Sequence, residues 1–419
     1  MKILVVGNGG REHAIVWTLL QSPQVTQVLC VPGNGGTATM ERCQNLLFRV
    51  DDFAGIARFA EVNGVSLVVV GPELPLSLGI VDYLQNRNIP VFGPTRAGAQ
   101  IESSKTWAKA IMEEAGVPTP KSATFTDLST ARAYIEQQGA PIVVKADGLA
   151  GGKGVIVAET LLDALTAVEL LFAQNYEKLL IEEFLVGQEL SVIAITDGKT
   201  IRSFLPAQDH KRIGDGDTGA NTGGMGAYAP APLGTPALMT RIQNEVLEPT
   251  LAMLKRKGID YRGVLYAGLM ISPTGELKVL EFNCRFGDPE TQAILPLLVT
   301  PLVDLLMACT EQRLAALPPI EWKSAVSTCV TIAAQGYPGN YERSKVIAGL
   351  NTANTEGTTV FHAGTQLTQN GIVTDGGRVL GVTSIAPDFA TAIEHAYQGV
   401  KLITFDGMYY RQDIGQRAL

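Results

Sequence analysis

Two lysines flank a glycine-rich turn in the middle of the sequence, and together they could hold a chain of phosphate groups. The turn is KADGLAGGKGV, residues 145–155, and it joins two predicted strands. Two cations and a loop rich in backbone N–H groups suit a triphosphate. The spacing is not G-x-x-x-x-G-K-[ST], so this is not a P-loop of the Walker type. An exposed hairpin with solvated lysines is the alternative, but the glycines around Lys153 favour a ligand site.

A carboxylate and an amide two residues apart could hold a metal ion. They begin the segment EFNCRFGDPET, residues 281–291. Because residues i and i+2 of a strand face the same side, Glu281 and Asn283 should converge. Their oxygens suit Mg²⁺ together with phosphate oxygens. Arg285 continues this face and could clamp a carboxylate or a phosphate. A plain polar strand end would not account for so many convergent groups.

Two further polar segments give weaker signals. In LIEEFLVGQE, residues 180–189, the backbone could contact adenine and Glu189 could accept ribose hydroxyls. Acids at strand ends are commonly just solvated, so this segment alone decides little. Residues 209–227 look like a long polar loop with paired acids and bases that could hold a zwitterion. Loops of that length are functional or disordered, and both interpretations stay open.

The sequence starts with a strand that runs into the turn GNGGREH, residues 7–13. A glycine-rich turn that opens a helix offers N–H groups to a phosphate. Glu12 stands where the dinucleotide fingerprint G-x-G-x-x-G needs its third glycine, which disfavours a dehydrogenase. A tight turn without a ligand is the alternative, and the additional Asn8, Arg11 and His13 favour a ligand.

Hydrophobic periodicity predicts the elements that position these residues. Apolar runs at 3–6, 28–31, 67–70 and 90–92 alternate with helical patterns at 12–21, 53–62 and 78–86. This alternation predicts a parallel sheet whose ligands bind beyond the carboxyl ends of its strands.

The rest of the chain has mixed patterns. We predict a helix at 103–115, a linker at 116–120, a small α+β unit at 121–187, a larger α+β region at 188–325, and short strands with a helix near 388–401. The small unit should contain strands 141–146, 154–158 and 179–184 and helix 161–172. The larger region should contain strands 189–196, 201–206, 261–272 and 277–283 and a helix near 237–257.

Composition excludes several classes of protein. The chain has 419 residues and a net charge of −8 without a long basic stretch, which disfavours nucleic acid as a partner. No apolar run is long enough for a membrane span or a signal peptide. Its five cysteines are widely spaced and suggest neither a disulfide framework nor a zinc site. The expected location is therefore the cytoplasm.

Taken together, these segments resemble the ATP-grasp superfamily and, within it, the phosphoribosylamine–glycine ligases. The matching strings are GNGGREH, VVGPE at 69–73, KADGLAGGKGV, IEEF at 181–184, QDHKR at 208–212, NTGGMGAY at 221–228, EFNCRFGDPETQ at 281–292 and GGRVLGVT at 376–383. They are collinear over essentially the whole chain, and several are specific to this ligase. The segment at 173–178 is shorter than is usual in the family.

The resemblance implies an α/β and α+β multidomain fold. A parallel α/β substrate domain would span 1–102, an ATP-grasp domain 103–325 with a mobile lid at about 121–187, and a small β-rich domain 326–419. The implied reaction joins glycine to 5-phosphoribosylamine and gives glycinamide ribonucleotide, ADP and phosphate through glycyl phosphate. ATP would be the co-substrate, and Mg²⁺ or Mn²⁺ the metal. The oligomeric state stays open, with a monomer among the states allowed.

The resemblance also implies roles for individual residues. Those expected at ATP are Lys105, Lys145, Gly151, Gly152 and Lys153 at the phosphates, Glu182, Glu183, Phe184 and Leu185 at adenine, and Glu189 at ribose. The expected metal ligands are Glu281 and Asn283. Asp209, Lys211, Arg285 and Asp288 are expected near glycine and the acyl phosphate, and Asn8, Gly9, Gly10 and Glu73 near the ribose phosphate substrate. Lys145, Lys153, Asp209, Arg285 and Asp288 would form the catalytic group.

Three other functions compete with this interpretation. Another ATP-grasp ligase, such as a purine-pathway carboxylase or a formate-using transferase, would share the lysines and the metal pair but lack QDHKR and NTGGMGAY. A nucleotide-binding regulatory protein with a dead site would not be expected to keep those lysines and Glu281 intact. A dehydrogenase is weakened by Glu12.

Overall fold

The N-terminal region is an open parallel sheet covered by helices. The computed structural model describes residues 1–149, 154–355 and 357–419. The strands are β1 (Lys2–Gly7), β2 (Gln27–Pro32), β3 (Cys43–Asn45), β4 (Leu67–Val70) and β5 (Val91–Phe92), in the order β3-β2-β1-β4-β5. The helices are α1 (Gly10–Leu20), α2 (Phe53–Asn63), α3 (Glu73–Leu78), α4 (Ile80–Gln85) and α5 (Arg96–Ser103). The apolar runs are buried strands, as predicted.

Two of the predicted helix boundaries were wrong. The helix predicted at 78–86 begins only at Ile80 as α4, because Gly79 adopts a left-handed φ of 92° and ends the unpredicted α3 before it. The helix at 103–115 is α6 (Lys105–Ala115), preceded by the unpredicted α5. Ser104 separates the two with an extended backbone, and its side chain caps α6 by accepting the N–H of Trp107.

A small subdomain follows, with an antiparallel sheet under two helices. Its elements are β6 (Ser122–Phe125), α7 (Leu128–Gln138), β7 (Ile142–Ala146), β8 (Val155–Ala158), α8 (Leu161–Ala173) and β9 (Leu179–Glu183), with the sheet order β6-β9-β7-β8. The sequence prediction missed β6 and α7. In α7 only Ala131 and Ile135 are buried, so the apolar stripe is too thin to stand out.

The central region contains a second antiparallel sheet in the order β11-β10-β16-β17. Its elements are β10 (Gln188–Asp197), β11 (Ile201–Ser203), β12 (Gln208–Asp209), β13 (Arg212–Gly214), β14 (Thr218–Asn221), β15 (Gly226–Ala229), α9 (Pro236–Ile242), α10 (Glu248–Arg256), β16 (Arg262–Ile271), β17 (Leu277–Asn283), α11 (Glu290–Ile294) and α12 (Leu302–Thr310). A π-helical turn, Gln243–Leu247, joins α9 to α10. The polar segment 209–227 is thus not a structureless loop, since β13 and β14 pair as a hairpin.

Ion pairs from the end of the chain hold this hairpin. Arg411 is almost fully buried, and its guanidinium lies 3.0 Å from Asp217 and 2.6 Å from Asp413. It also donates to the carbonyl of Arg212 at 3.0 Å. Asp217 and Arg212 lie 194 and 199 residues from Arg411 in sequence, so no local pattern could have revealed the order of this segment.

The C-terminal region is rich in strands and shares its sheet with the central region. Its elements are β18 (Val326–Ala334), α13 (Leu350–Ala353), β19 (Thr358–His362), β20 (Thr365–Thr368), β21 (Gly371–Thr374), β22 (Arg378–Ala386), α14 (Phe389–Leu402) and β23 (Met408–Tyr409). The sheet order is β12-β15-β18-β22-β19, and β23 pairs with β18. The predicted fold class, a parallel α/β unit followed by antiparallel α+β units, is confirmed. No helix in the described parts of the chain is both long and apolar enough to cross a membrane.

Asp147 joins the small subdomain to the start of α6. Its carboxylate accepts the hydroxyl of Thr106 at 2.6 Å and the N–H of Thr106 at 3.2 Å. The first N–H groups of a helix have no partner within the helix, so this carboxylate supplies one from outside and also complements the helix dipole. Asp147 therefore both stabilises α6 and docks the end of β7 against it.

We expect Asp147→Ala to lower the free energy of unfolding by about 1 kcal/mol, the usual cost of losing a helix cap. Amide exchange should accelerate in peptides from both sides of the contact, 104–110 and 142–148. Asp127→Ala is the matched control, because Asp127 caps α7 within the small subdomain through the N–H of Thr130. Its effect should stay within α7. Unchanged exchange in 142–148 in Asp147→Ala would contradict the docking role.

Candidate active site

A cavity of about 890 Å³ lies where the small subdomain, the central sheet and both terminal regions meet. Its polar wall includes Arg11, Glu73, Glu102, Lys105, Lys145, Glu182, Glu183, Glu189, Asp209, Lys211, Glu281, Asn283, Arg285, Asp288, Glu290 and Arg378. Its apolar wall includes Val143, Val155, Val157, Phe184, Leu185, Val186, Met270, Leu280 and Phe282. One end is therefore suited to a flat apolar group and the other to charged groups.

Lys145 lies at the boundary between the two ends. Its ammonium is 2.5 Å from the carboxylate of Glu182 and donates to the carbonyl of Leu280 at 3.1 Å. Lys105, on α6, approaches the same place and donates to the carbonyl of Gly148 at 2.8 Å. Burial lowers the pKa of Lys105, an effect that the nearby Glu281 carboxylate opposes. Both lysines are positioned by backbone oxygens that a phosphate oxygen could replace.

Lys211 lies within a group of carboxylates contributed by three strands. Its ammonium is 2.7 Å from Glu189 on β10 and 3.8 Å from Glu281 on β17. Burial alone would lower the pKa of Lys211, but Glu189, Asp209 and Glu281 outweigh it and hold that pKa well above its usual value. Lys211 therefore stays charged and is the centre of this group.

Asp209 is a carboxylate whose ionised form is disfavoured by its surroundings. Burial, assisted by the negative charges of Glu290, Glu189 and Glu281, raises its pKa to about 8 although Lys211 opposes the shift. Glu290 is held nearby, where its Oε1 accepts hydrogen bonds from Tyr266 at 2.9 Å and Ser191 at 3.1 Å. The surplus of carboxylates over cations makes this end of the cavity receptive to positive charge.

Glu281 and Asn283 offer oxygen donors to this space. Burial would raise the pKa of Glu281, but Lys211, Lys145 and Lys105 outweigh it and lower that pKa. Glu281 therefore stays ionised, and its side chain keeps 38% of its surface exposed. No group of three or more His, Cys, Asp or Glu side chains in the described residues forms a complete metal site. A pair of oxygen donors next to phosphate-binding lysines fits a magnesium-type ion that also coordinates a nucleotide.

Arg285 is fixed by acids from the N-terminal half of the chain. Its guanidinium lies 2.9 Å from Glu102 at the end of α5 and 3.4 Å from Glu73 at the start of α3. It also donates to the side-chain oxygen of Asn283 at 3.2 Å. Glu102 in turn accepts the N–H of Cys284 at 2.8 Å, which fixes the strand end. Arg285 therefore links the predicted metal pair to the N-terminal region.

Asp288 is held by the C-terminal region. Arg378, from the string GGRVLGVT, donates to the carbonyl of Asp288 at 2.7 Å, and its guanidinium lies 3.4 Å from the Asp288 carboxylate. The same guanidinium donates to the carbonyls of Gly223 and Gly224. Burial would raise the pKa of Asp288, but Arg378 and Arg11 lower it, so Asp288 stays ionised. The last region of the chain thus supplies part of the cavity wall.

The N-terminal turn is already partly occupied by its own carboxylate. Glu12 accepts the N–H of Gly9 at 2.7 Å and lies 2.5 Å from Arg11. A Cβ on Gly71 would lie 2.0 Å from Glu12, and one on Gly7 would lie 2.5 Å from it. Glu12 therefore fills the space that a third glycine would leave open for a dinucleotide pyrophosphate.

The sequence pattern counts His13 among the residues that favour a ligand, and this prediction is wrong. The side chain is buried away from the cavity, where its Nδ1 accepts the N–H of His362 at 2.7 Å. Burial, with a smaller contribution from His362, holds the pKa of His13 well below its usual value. His13 joins the N-terminal and C-terminal regions as a neutral ring.

The cavity brings together most, but not all, of the predicted site residues. Gly151, Gly152 and Lys153 lie outside the described residues. Asn8, Gly9 and Gly10 do not line the cavity, although a Cβ on Gly9 would lie 3.3 Å from the Asp288 carboxylate. Sequence reasoning missed Glu102, Lys109, Glu290 and Arg378. Glu290 and Arg378 lie within the motifs that match the family, but only their contacts in the structure show that they line the cavity.

Comparison with known proteins identifies the family. Models of the phosphoribosylglycinamide synthetase N domain, ATP-grasp (A) domain and C domain match residues 1–102, 103–291 and 327–417. The chain belongs to the phosphoribosylglycinamide synthetase family. It is an enzyme of the ATP-grasp carbon–nitrogen ligase type, and the dehydrogenase alternative is excluded.

Relatives and a solved structure match this family member over their full length. It is 64% identical to the phosphoribosylamine–glycine ligase of Nostoc sp., over 100% of this chain and 99% of that protein. It is 58% identical to the Synechocystis sp. ligase of the same name, over 100% of both chains. The crystal structure of the Thermotoga maritima phosphoribosylamine–glycine ligase superposes with a TM-score of 0.84 at 31% identity, over 99% of this chain and 100% of that one.

Removing the charge of Glu281 should impair turnover far more than folding. We expect Glu281→Gln to cut kcat by about 10²–10³-fold, the usual loss when one transition-state stabiliser is removed. Glu276→Gln is the matched control, because Glu276 is exposed and pairs only loosely with Lys278 at 3.6 Å. Steady-state kinetics and thermal melting of both variants check this. A Glu281→Gln enzyme as fast as Glu276→Gln would refute the metal role.

Asp209 should make the ligand-free enzyme less stable as pH rises. A carboxyl whose pKa rises on folding keeps a proton that the unfolded chain releases above about pH 4, so stability falls between there and the folded value near 8. Asp209→Asn removes this loss. We expect it to raise Tm by about 2–4 °C at pH 8 and to leave Tm unchanged at pH 4.

Melting scans without nucleotide or metal measure this difference across the pH range. Two results would show that Asp209 is not a buried carboxyl with a raised pKa. One is a Tm of Asp209→Asn below that of the unaltered protein at pH 8, and the other is a Tm difference that is the same at every pH.

Proposed function

We propose that this enzyme ligates glycine to 5-phosphoribosylamine and gives glycinamide ribonucleotide, ADP and phosphate through a glycyl phosphate intermediate. The observation that carries the proposal is the convergence, in one cavity, of phosphate-type lysines, a pair of metal-type oxygens and Arg285, within a family whose relatives bear this activity in their names. The predicted units 1–102, 103–325 and 326–419 would each contribute one part of the cavity.

ATP would bind with its base at the apolar end. Adenine would lie between Val143 and Val157 of the small subdomain and Leu280 of the central sheet, all of which line the cavity, with the backbone of residues 182–185 along its edge. Glu189 lies near the start of the next strand, β10, where its carboxylate could release Lys211 and accept ribose hydroxyls instead. The triphosphate would then reach Lys105 and Lys145, with Lys153 from the glycine-rich turn as a third cation.

Glu281 and Asn283 would hold Mg²⁺ or Mn²⁺, since both ions accept carboxylate and amide oxygens. When bound, such an ion neutralises charge on the transferring phosphoryl group and fixes its oxygens. Lys211, now 3.8 Å from Glu281, would also be near the transferring group. The lysines would supply fixed positive charge, which acts most strongly once closure of the site excludes water.

Glycine would bind at the charged end between Arg285 and the acids. The Arg285 fork suits a carboxylate, and the ionised Asp288, with Asp209, suits an ammonium group. Phosphoribosylamine would approach from the N-terminal region, where Glu73 lies 3.4 Å from Arg285. Asn8, Gly9 and Gly10 remain candidates for its phosphate, although one N–H of that turn already bonds Glu12.

The reaction then follows from these positions. A glycine carboxylate oxygen attacks the γ-phosphorus, the bond to the β-phosphate oxygen breaks, and ADP leaves. The amine of phosphoribosylamine attacks the acyl carbon, the bond from that carbon to the phosphate oxygen breaks, and phosphate departs while the nitrogen loses a proton. A carboxylate is a poor acyl donor until it is phosphorylated, and the mixed anhydride must be shielded from water until the amine attacks. Closure of the small subdomain would provide this shielding.

The cytoplasm remains the proposed location. The five cysteines are free, and Cys30 and Cys43 lie with their sulfurs 3.5 Å apart without a bond between them. Adjacent free thiols suit a reducing compartment.

The purified enzyme should release phosphate from ATP only when glycine and phosphoribosylamine are both present. A phosphate-release assay with each substrate omitted in turn, and with mass spectrometry of the product, measures this. Bicarbonate and formate are the controls, because the competing ATP-grasp ligases use small acids of this kind. Equal stimulation by either of them in place of glycine would overturn the assignment.

A further inference from the structure

Glu182 is a buried carboxylate held between two lysines from different parts of the chain. Its side chain is 2% exposed, with one oxygen 2.6 Å from Lys109 and the other 2.5 Å from Lys145. An isolated charge is costly to bury, and removing one partner of a buried pair commonly destabilises a protein strongly. The group consists of one carboxylate and two ammonium groups, so its net charge is positive.

The two lysines contact different oxygens of the Glu182 carboxylate. Lys145 lines the cavity, whereas Lys109 approaches from behind, from α6, and is not part of the described cavity wall. Lys109 also donates to the hydroxyl of Thr119 at 2.7 Å and to the carbonyl of Pro120 at 2.9 Å. These bonds hold its ammonium in the interior, where the residue is only 4% exposed. Lys109 is therefore a permanent partner of Glu182, while Lys145 can exchange partners.

We infer that Lys109 is a positioning residue that neutralises Glu182 from behind and so leaves the charge of Lys145 free for the nucleotide phosphates. With Lys109 in place, Lys145 can turn towards a phosphate without leaving Glu182 unpaired. Without Lys109, Lys145 is the remaining ion partner of a buried carboxylate, and its movement to the phosphates would leave that carboxylate alone. The inference rests on the proposed role of Lys145 at ATP.

The geometry of the strands supports this division of roles. Glu182 is paired directly with Val143, two residues before Lys145 on β7, so Lys145 reaches Glu182 diagonally across the sheet. Burial lowers the pKa of Lys109, and the Glu182 carboxylate opposes that shift. The Lys109 charge is thus maintained by the same carboxylate that it neutralises.

The test is the binding of a Mg²⁺-loaded β,γ-imido ATP analogue, and of adenosine, measured by calorimetry on the full-length enzyme. Lys109→Met should weaken binding of the analogue about tenfold, the loss expected for one charge-assisted hydrogen bond. Adenosine has no phosphates, so its affinity should change little. A purely structural role for Lys109 would weaken both ligands alike, and that result would overturn the inference.

A double-variant comparison isolates the part played by Glu182. In a Glu182→Gln background there is no buried charge to neutralise, so adding Lys109→Met should weaken the analogue less than about threefold. An equal loss in both backgrounds would contradict the inference. Lys109→Arg keeps the charge and should bind the analogue within about threefold of the unaltered enzyme. If Lys109→Met does not fold, Lys109→Arg tests the inference on its own. A tenfold loss of affinity for the analogue in a folded Lys109→Arg enzyme would contradict the inference.

Lys145→Met separates this inference from the proposed function. If Lys145→Met binds the analogue as tightly as the unaltered enzyme, the role assigned to Lys145 at ATP is wrong. If Lys145→Met weakens binding while Lys109→Met acts equally in both Glu182 backgrounds, the function stands and only the inference about Lys109 fails.

Discussion

The structure depends on four ion pairs in the cavity, each of which holds a basic side chain with an acid until a ligand replaces that acid. Lys145 has Glu182, Lys211 has Glu189, Arg285 has Glu102, and Arg378 has Asp288. Charges in a partly buried cavity need such partners, because desolvation otherwise costs more than the fold can offset. In every pair except the last, the acid lies on a neighbouring strand or on a helix far away in sequence. Folding is therefore what assembles a receptive site whose basic side chains already have partners.

Much of the architecture could be predicted from sequence because its signals are local. Buried parallel strands appear as apolar runs, and the position of Glu281 and Asn283 on one face follows from the alternation of side chains along a strand. The errors in helix boundaries, and the missed helix α7, also had local causes. Gly79 splits a helix by its left-handed backbone, Ser104 caps one, and α7 buries too few residues to show a stripe. These are details that periodicity does not record.

The site was less predictable than the fold, since its contacts join distant segments. The hairpin of β13 and β14 is ordered by Arg411, and Asp288 is fixed by Arg378 from the C-terminal sheet. Glu12 was correctly taken as an obstacle to a dinucleotide, but its bond to the Gly9 N–H could not be foreseen. His13 was given a ligand role because its neighbours in sequence had one, whereas its neighbours in space make it a buried neutral ring. Sequence identified the chemical groups, and only tertiary contacts distinguish those at the cavity from those that support it.

The most direct test of the proposed chemistry is to follow a glycine oxygen into phosphate. Glycine labelled with ¹⁸O in both carboxylate positions is turned over with ATP and phosphoribosylamine in unlabelled water, and the released phosphate is analysed by mass spectrometry. If the carboxylate attacks the γ-phosphorus, each phosphate carries one ¹⁸O and the amide product retains the other. Phosphate without ¹⁸O, released in step with product, would show that glycine is not activated as an acyl phosphate and would contradict the proposed use of this cavity.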